Sequence, residues 1–159
     1  MKIHFGYLVA TGFLIGTTTG LFITAASNSQ AAPPADQPTA ADPVEPDMHE
    51  YMEYVNQPAF QRLKPAMASE PAGNQAWKTI KSESLVLAES GNLLLIRKPE
   101  DDADDWQKHS VQTRDAAAEL YRAAKSKDYG AARKHYESMV QHCNACHQQF
   151  AGGDPQLKP

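Results

Sequence analysis

Cysteine is scarce in this chain. Only two occur in 159 residues, too few for a disulfide framework. Positive charge is not in excess either: 15 Lys and Arg stand against 19 Asp and Glu, a formal net charge of −4. That balance argues against nucleic acid as a partner and mildly favours basic protein partners. Strand-like alternation is missing from the body of the sequence, and so is any second Cys-x-x-Cys or paired-histidine motif that could complete a zinc site. Long hydrophobic runs are confined to the N-terminus.

That N-terminal run is informative. Residues 1–4 carry Lys2, residues 5–26 are predominantly apolar, and the small residues of Thr24-Ala25-Ala26 or Ser29-Gln30-Ala31 follow. Residues 1–31 therefore read as a secretory signal peptide. The competing reading is an uncleaved membrane anchor, since about 20 apolar residues can span a bilayer. Either way the remainder is exported, and a periplasmic location is expected. Residues 32–46 are rich in proline and alanine and offer little to bury, as in a disordered tether. Residues 47–151 are left as one compact domain, and residues 152–159 read as a flexible tail.

Helical periodicity organises the domain. Asp47 is placed to cap a first helix whose stripe is Met48, Met52 and Val55, with Pro58 and Pro65 marking a bend before it continues through Phe60, Leu63 and Met67. Asn74 is placed to cap a second, with Trp77, Ile80, Ser84, Leu87, Gly91 and Leu94 on one face and Leu85, Val86, Leu93, Leu95 and Ile96 widening it. Lys98-Pro99-Glu100 breaks it. Asp101, Asp102, Asp104 and Asp105 then supply the acids favoured at a helix start, and Trp106, Ser110 or Thr113, Ala117, Leu120 and Ala124 form a third stripe. A fourth, after Asp128, runs Ala132, Tyr136, Met139, Cys143, Cys146 or His147, and Phe150. The expected helices cover 47–68, 74–97, 101–126 and 129–151. This is an all-α chain, and four apolar stripes with short connections predict an antiparallel four-helix bundle.

Both cysteines lie in Cys143-Asn144-Ala145-Cys146-His147. Cys-x-x-Cys-His is the attachment signature of a c-type haem. Two thiols add across the two vinyl groups of one haem, and the adjacent imidazole reaches the iron as its proximal ligand. A thioredoxin-like redox pair would need a strand-to-helix setting, and nothing strand-like precedes Cys143. One covalently bound haem c per chain is expected, held by Cys143, Cys146 and His147 on the core-facing stripe of the last helix. Lys81, Arg97, Arg114 and Arg122 are candidates to meet a haem propionate. His49, His109, His135 and His142 lie off the stripes and are expected at the surface.

Four helices, an export leader and this motif on the final helix together resemble the cytochrome c′ family. The resemblance spans residues 47–150, and His142 to Phe150 is similar to that family's C-terminal signature, with an aromatic residue three places after the histidine. A basic residue commonly follows there; here the position is Ala151, which removes a charge near the proximal imidazole. In the family the first helix supplies the residue facing the iron from the distal side. Tyr51-Met52 and the stretch to Pro71 are similar to the low-spin branch, and Met52 falls at that branch's distal ligand. Met48, one turn earlier, is the nearest competitor, and an ordinary core role is the bland alternative for either thioether. The resemblance implies one-electron transfer with redox partner proteins, no enzymatic activity, and in many members a homodimer. The alternative it leaves open is a five-coordinate iron that binds nitric oxide or carbon monoxide.

Overall fold

The computed structural model describes residues 41–159. The expected leader and most of the tether lie outside the described residues. Among the described residues there is no strand, and no helix is long and apolar enough to cross a membrane.

The first arm is a continuous run of three elements: α1 (Met48–Tyr51), a π-helical turn (Met52–Asn56) and α2 (Gln57–Ala66). Asp47 caps it as expected, its carboxylate accepting from the Glu50 amide at 2.9 Å. The disturbance expected at Pro58 takes the form of the π turn. Proline has no N–H to donate and its ring crowds the carbonyl four residues back. The Gln57 amide bonds back to Met52, five residues earlier, and the extra residue accommodates the ring without breaking the rod. Pro65 sits in the last turn, where the helix is already ending.

The other three arms are α3 (Asn74–Leu95), α4 (Ala103–Ser126) and α5 (Tyr129–Phe150). Gly73, not Asn74, is the cap of α3. The Asn74 side chain instead accepts from Lys127 Nζ at 2.8 Å, tying the start of α3 to the end of α4. Lys127 adopts a left-handed backbone (φ 57) that ends α4. Asp128 then caps α5 by accepting from the Ala131 amide at 2.9 Å.

Neighbouring arms run antiparallel. Tyr51 reaches Ser90 while Arg62 reaches Glu83, so the first arm descends as α3 rises. Trp106 Nε1 donates to the Leu94 carbonyl at 2.8 Å, and His109 and Asp105 meet Gln149, giving the same sense for α3–α4 and α4–α5. The main core gathers Leu63, Met67, Ile80, Leu120, Tyr136, Met139 and Val140, all fully buried. Each such side chain contributes on the order of 1.5–3 kcal/mol of burial. A second, smaller cluster joins Tyr51, Leu94, Trp106 and Cys146, with Met48, Met52, Val55 and Phe150 against it.

The arms do not close into a uniform ring. Backbones approach closely from the first arm to α3, from α3 to α4 and from α4 to α5, but no Cα of the first arm lies within 8 Å of one on α5. Between the helices themselves, side chains bridge this seam. Phe60 stacks on Tyr136 at 6.4 Å between centroids, and the Met67 carbonyl accepts from Tyr129 Oη and Arg133.

The tightest crossing is at Gly91. A Cβ there would stand 2.6 Å from Arg114 Cβ and 2.9 Å from its Cα. Backbone, not a flexible side-chain end, blocks the space. Gly91→Ala is therefore expected to destabilise the fold by about 1–3 kcal/mol through overpacking, read as a lower urea midpoint with an unchanged slope.

Candidate haem-attachment site

The local sequence of α5 dictates its inward face. Ala132, Tyr136, Met139 and Val140 are buried along it, and the same periodicity brings Cys143 and Cys146 inward one and two turns later. Cys143 packs against the main core, and Cys146, 8% exposed, belongs to the second cluster. The pair therefore straddles the two apolar clusters on the α5 side of the open seam.

Burial raises both thiols. Cys143 is pushed up to about 12, chiefly by burial and further by the neighbouring Cys146, with a backbone hydrogen bond opposing. Cys146 is pushed up to about 11 by burial alone. A redox-active Cys-x-x-Cys pair needs a thiol shifted down, toward thiolate. This pair is shifted the other way. Among the described residues no three Cys, His, Asp or Glu side chains converge as metal ligands, so a zinc centre has no donor set.

A haem fits what remains. The Tyr136 hydroxyl, on the same face of α5, is buried with no hydrogen-bond partner. Burial pushes it up to about 12, with Arg133 lowering it and Cys143 adding a smaller rise. An unsatisfied buried hydroxyl near the unpaired Cys143 marks a place where the haem-free side chains are not fully matched to each other.

His147 is half-buried, and its Nδ1 lies 2.8 Å from the Pro155 carbonyl oxygen. A carbonyl can only accept, so Nδ1 carries the proton and Nε2 keeps the free lone pair. That is the tautomer an iron ligand requires. Met52 is partly buried and opens the π turn, against the same cluster as Cys146. Met48 shares that cluster, while Tyr51, between them, is the side chain driven deepest, at 3% exposed. The structure thus brings Met52, Met48 and Cys146 together, and directs the His147 hydrogen bond toward the tail.

Several expectations need correction. The tail is not free: Leu157 packs on the core, and its amide and carbonyl pair with the Asn144 side chain at 2.8 and 2.9 Å. His109, His135 and His142 are half-buried rather than on the surface, and His109 sits edge-on to Phe150. Burial, with His109 adding a smaller effect, lowers the His142 pKa. His49 is exposed, as expected. Three of the candidate propionate partners are engaged elsewhere: Arg97 over the Tyr51 ring at 4.0 Å, Arg114 with Asp115 and Arg122 with Glu119. Sequence reasoning missed Asn144, Pro155 and the Tyr51–Ser90–Asn56 hydrogen-bond chain under the π turn. The signal for the first two was the Gly152-Gly153 pair directly after the helix, which permits a chain reversal.

The thiols supply a test on the haem-free chain. Their folded-state pKa values exceed the ordinary value of 9.0. The stability this represents is present below about pH 9 and is lost as pH rises through about 11 and 12. Urea midpoints of haem-free protein should therefore fall above pH 9, and changing both cysteines to Ala should remove that part of the slope.

The comparisons with known proteins bear on the same two helices. The family model described as Cytochrome C' matches residues 100–151, which takes in all of α4 and α5 with Cys143, Cys146 and His147 and stops short of Met52. No curated protein and no solved structure matches the chain. An all-helical bundle and an inward-facing Cys-x-x-Cys-His on its last helix agree with that match, and residues 100–151 are in this way similar to the cytochrome c′ family.

Proposed function

We propose that this protein is an exported one-electron carrier that holds one haem c. Cys143 and Cys146 would hold it covalently, and His147 and Met52 would hold its iron. The observation that carries the reading is that Met52, itself partly buried, packs against the buried cluster to which Cys146 belongs. The distal candidate of the first arm and the attachment helix thus already address the same space across the seam. When bound, the haem supplies an iron that cycles between ferric and ferrous states.

The chain's own residues set how that happens. His147 is held in the ligating tautomer. A thioether from Met52 opposite an imidazole favours the ferrous state and raises the potential. Tyr51, Leu94, Trp106 and Phe150 surround the cluster and exclude water, with Trp106 edge-on to Phe150 at 5.0 Å. With His147 and Met52 both committed to it, a bound iron would have no position left for a substrate, which supports a carrier and not an enzyme. Redox partner proteins, basic ones by charge balance, are the proposed partners, in the periplasm.

A second reading has its own support. The packing of Met52 in an apolar cluster is also what an ordinary core methionine does, and the family match does not reach it. With Met52 confined to packing, the iron is open and the protein binds nitric oxide or carbon monoxide. Met52→Ala decides between them. On the carrier reading the wild-type ferric protein is low-spin, and the variant becomes high-spin, loses potential and gains carbon monoxide binding, while Met48→Ala does little of this. A wild-type protein already high-spin and rapidly binding carbon monoxide overturns Met52 ligation.

A further inference from the structure

We propose that residues 152–158 form a strap over the proximal side of the site, with Pro155 and Asn144 as positioning residues for His147. The inference rests on His147 being the proximal haem ligand and goes beyond it by assigning what orients that ligand.

The strap begins where α5 ends. Gly152 and Gly153 both take positive φ, 63 and 89, a backbone that side chains other than glycine rarely adopt. The Gly153 amide bonds the His147 carbonyl at 2.9 Å, a closing bond spanning six residues that turns the chain back along the helix. Pro155 then lies beside His147, and Leu157 beside Asn144 one turn earlier. The Asn144 amide uses its oxygen to accept from the Leu157 N–H and its nitrogen to donate to the Leu157 carbonyl. An Ala here could do neither. Finally Lys64 Nζ, on α2, donates to the Lys158 carbonyl at 2.9 Å. The tail therefore spans the seam that the backbones of α2 and α5 leave open.

The attachment motif itself grips the strap. Asn144 stands between the two cysteines, so attachment, strap anchoring and ligand orientation share one stretch of α5. The Pro155 carbonyl fixes the imidazole tautomer and ring plane and makes Nε2 a stronger donor. A stronger proximal donor favours ferric iron, so losing the strap should raise the reduction potential.

The test uses the full-length exported protein with its haem attached and two variants, one ending at Asp154 and one carrying Asn144→Ala. Two quantities are read: exchange of the His147 Nδ1 proton with D2O by NMR of the ferrous protein, and the reduction potential. In the shortened protein, exchange should quicken at least tenfold and the potential should shift upward; Asn144→Ala should move both in the same direction by less. Unchanged exchange and potential in a shortened protein that keeps its haem would overturn the strap while leaving haem attachment standing. A wild-type protein with no covalent haem would overturn the attachment reading, and the strap's role toward iron with it.

Discussion

One face of α5 has to do two jobs, and most of the structure follows from that constraint. Between Ala132 and Val140 the face completes the main core; from Cys143 onward it presents attachment chemistry. A helix fixes the spacing of both sets on one stripe. In this fold α4 packs its backbone close to α5 on one side, and the side toward the first arm is filled by side chains. Along that seam large side chains, Phe60 and Tyr136 foremost, hold the arms apart. The same burial keeps both thiols neutral and poorly nucleophilic in the closed, haem-free bundle.

The first arm meets this constraint from the opposite side. Its π turn opens at Met52 and ends just before Pro58, and a polar chain lies under it. Tyr51 Oη donates to Ser90 Oγ, and Ser90 Oγ donates to Asn56 Oδ1. The turn is thereby pinned to α3 rather than left as a loose defect. Arg97, stacked on Tyr51 and bonded to the Glu45 carbonyl, holds the entry to the arm against the end of α3. Such π turns recur at functional positions because one extra residue re-aims the side chains around it. Here the side chain at its start is the candidate distal ligand.

Much of this was legible in the sequence, and the misses share one cause. Asp47 and Asp128 announced their helix starts, Lys98-Pro99-Glu100 a break, and the spacing from Ala132 to Phe150 the inward face of α5. Those are local signals, carried by a few neighbouring residues. What failed depended on partners distant in sequence. Gly91 stood only as one position on the second stripe, and its use is a close approach to Arg114 that only the α3–α4 crossing reveals. Asn74 looked like a cap, yet its side chain serves Lys127. The short polar tail read as flexible because its anchors, Asn144 and Lys64, lie on other elements. Pro58 signalled a disturbance, but a helical period cannot tell a kink from an inserted residue. Met52 was singled out as the distal candidate by family resemblance alone, since periodicity made it equivalent to Met48.

The central claim is that α5 carries a haem covalently through both cysteines of one motif. Intact-mass measurement of the exported, mature protein under denaturing conditions tests it most directly. The account predicts a mass equal to the polypeptide plus one haem, reduced to the polypeptide alone when Cys143 and Cys146 are both changed to Ser. A wild-type chain that flies without haem, after maturation in cells able to attach it, would contradict the account.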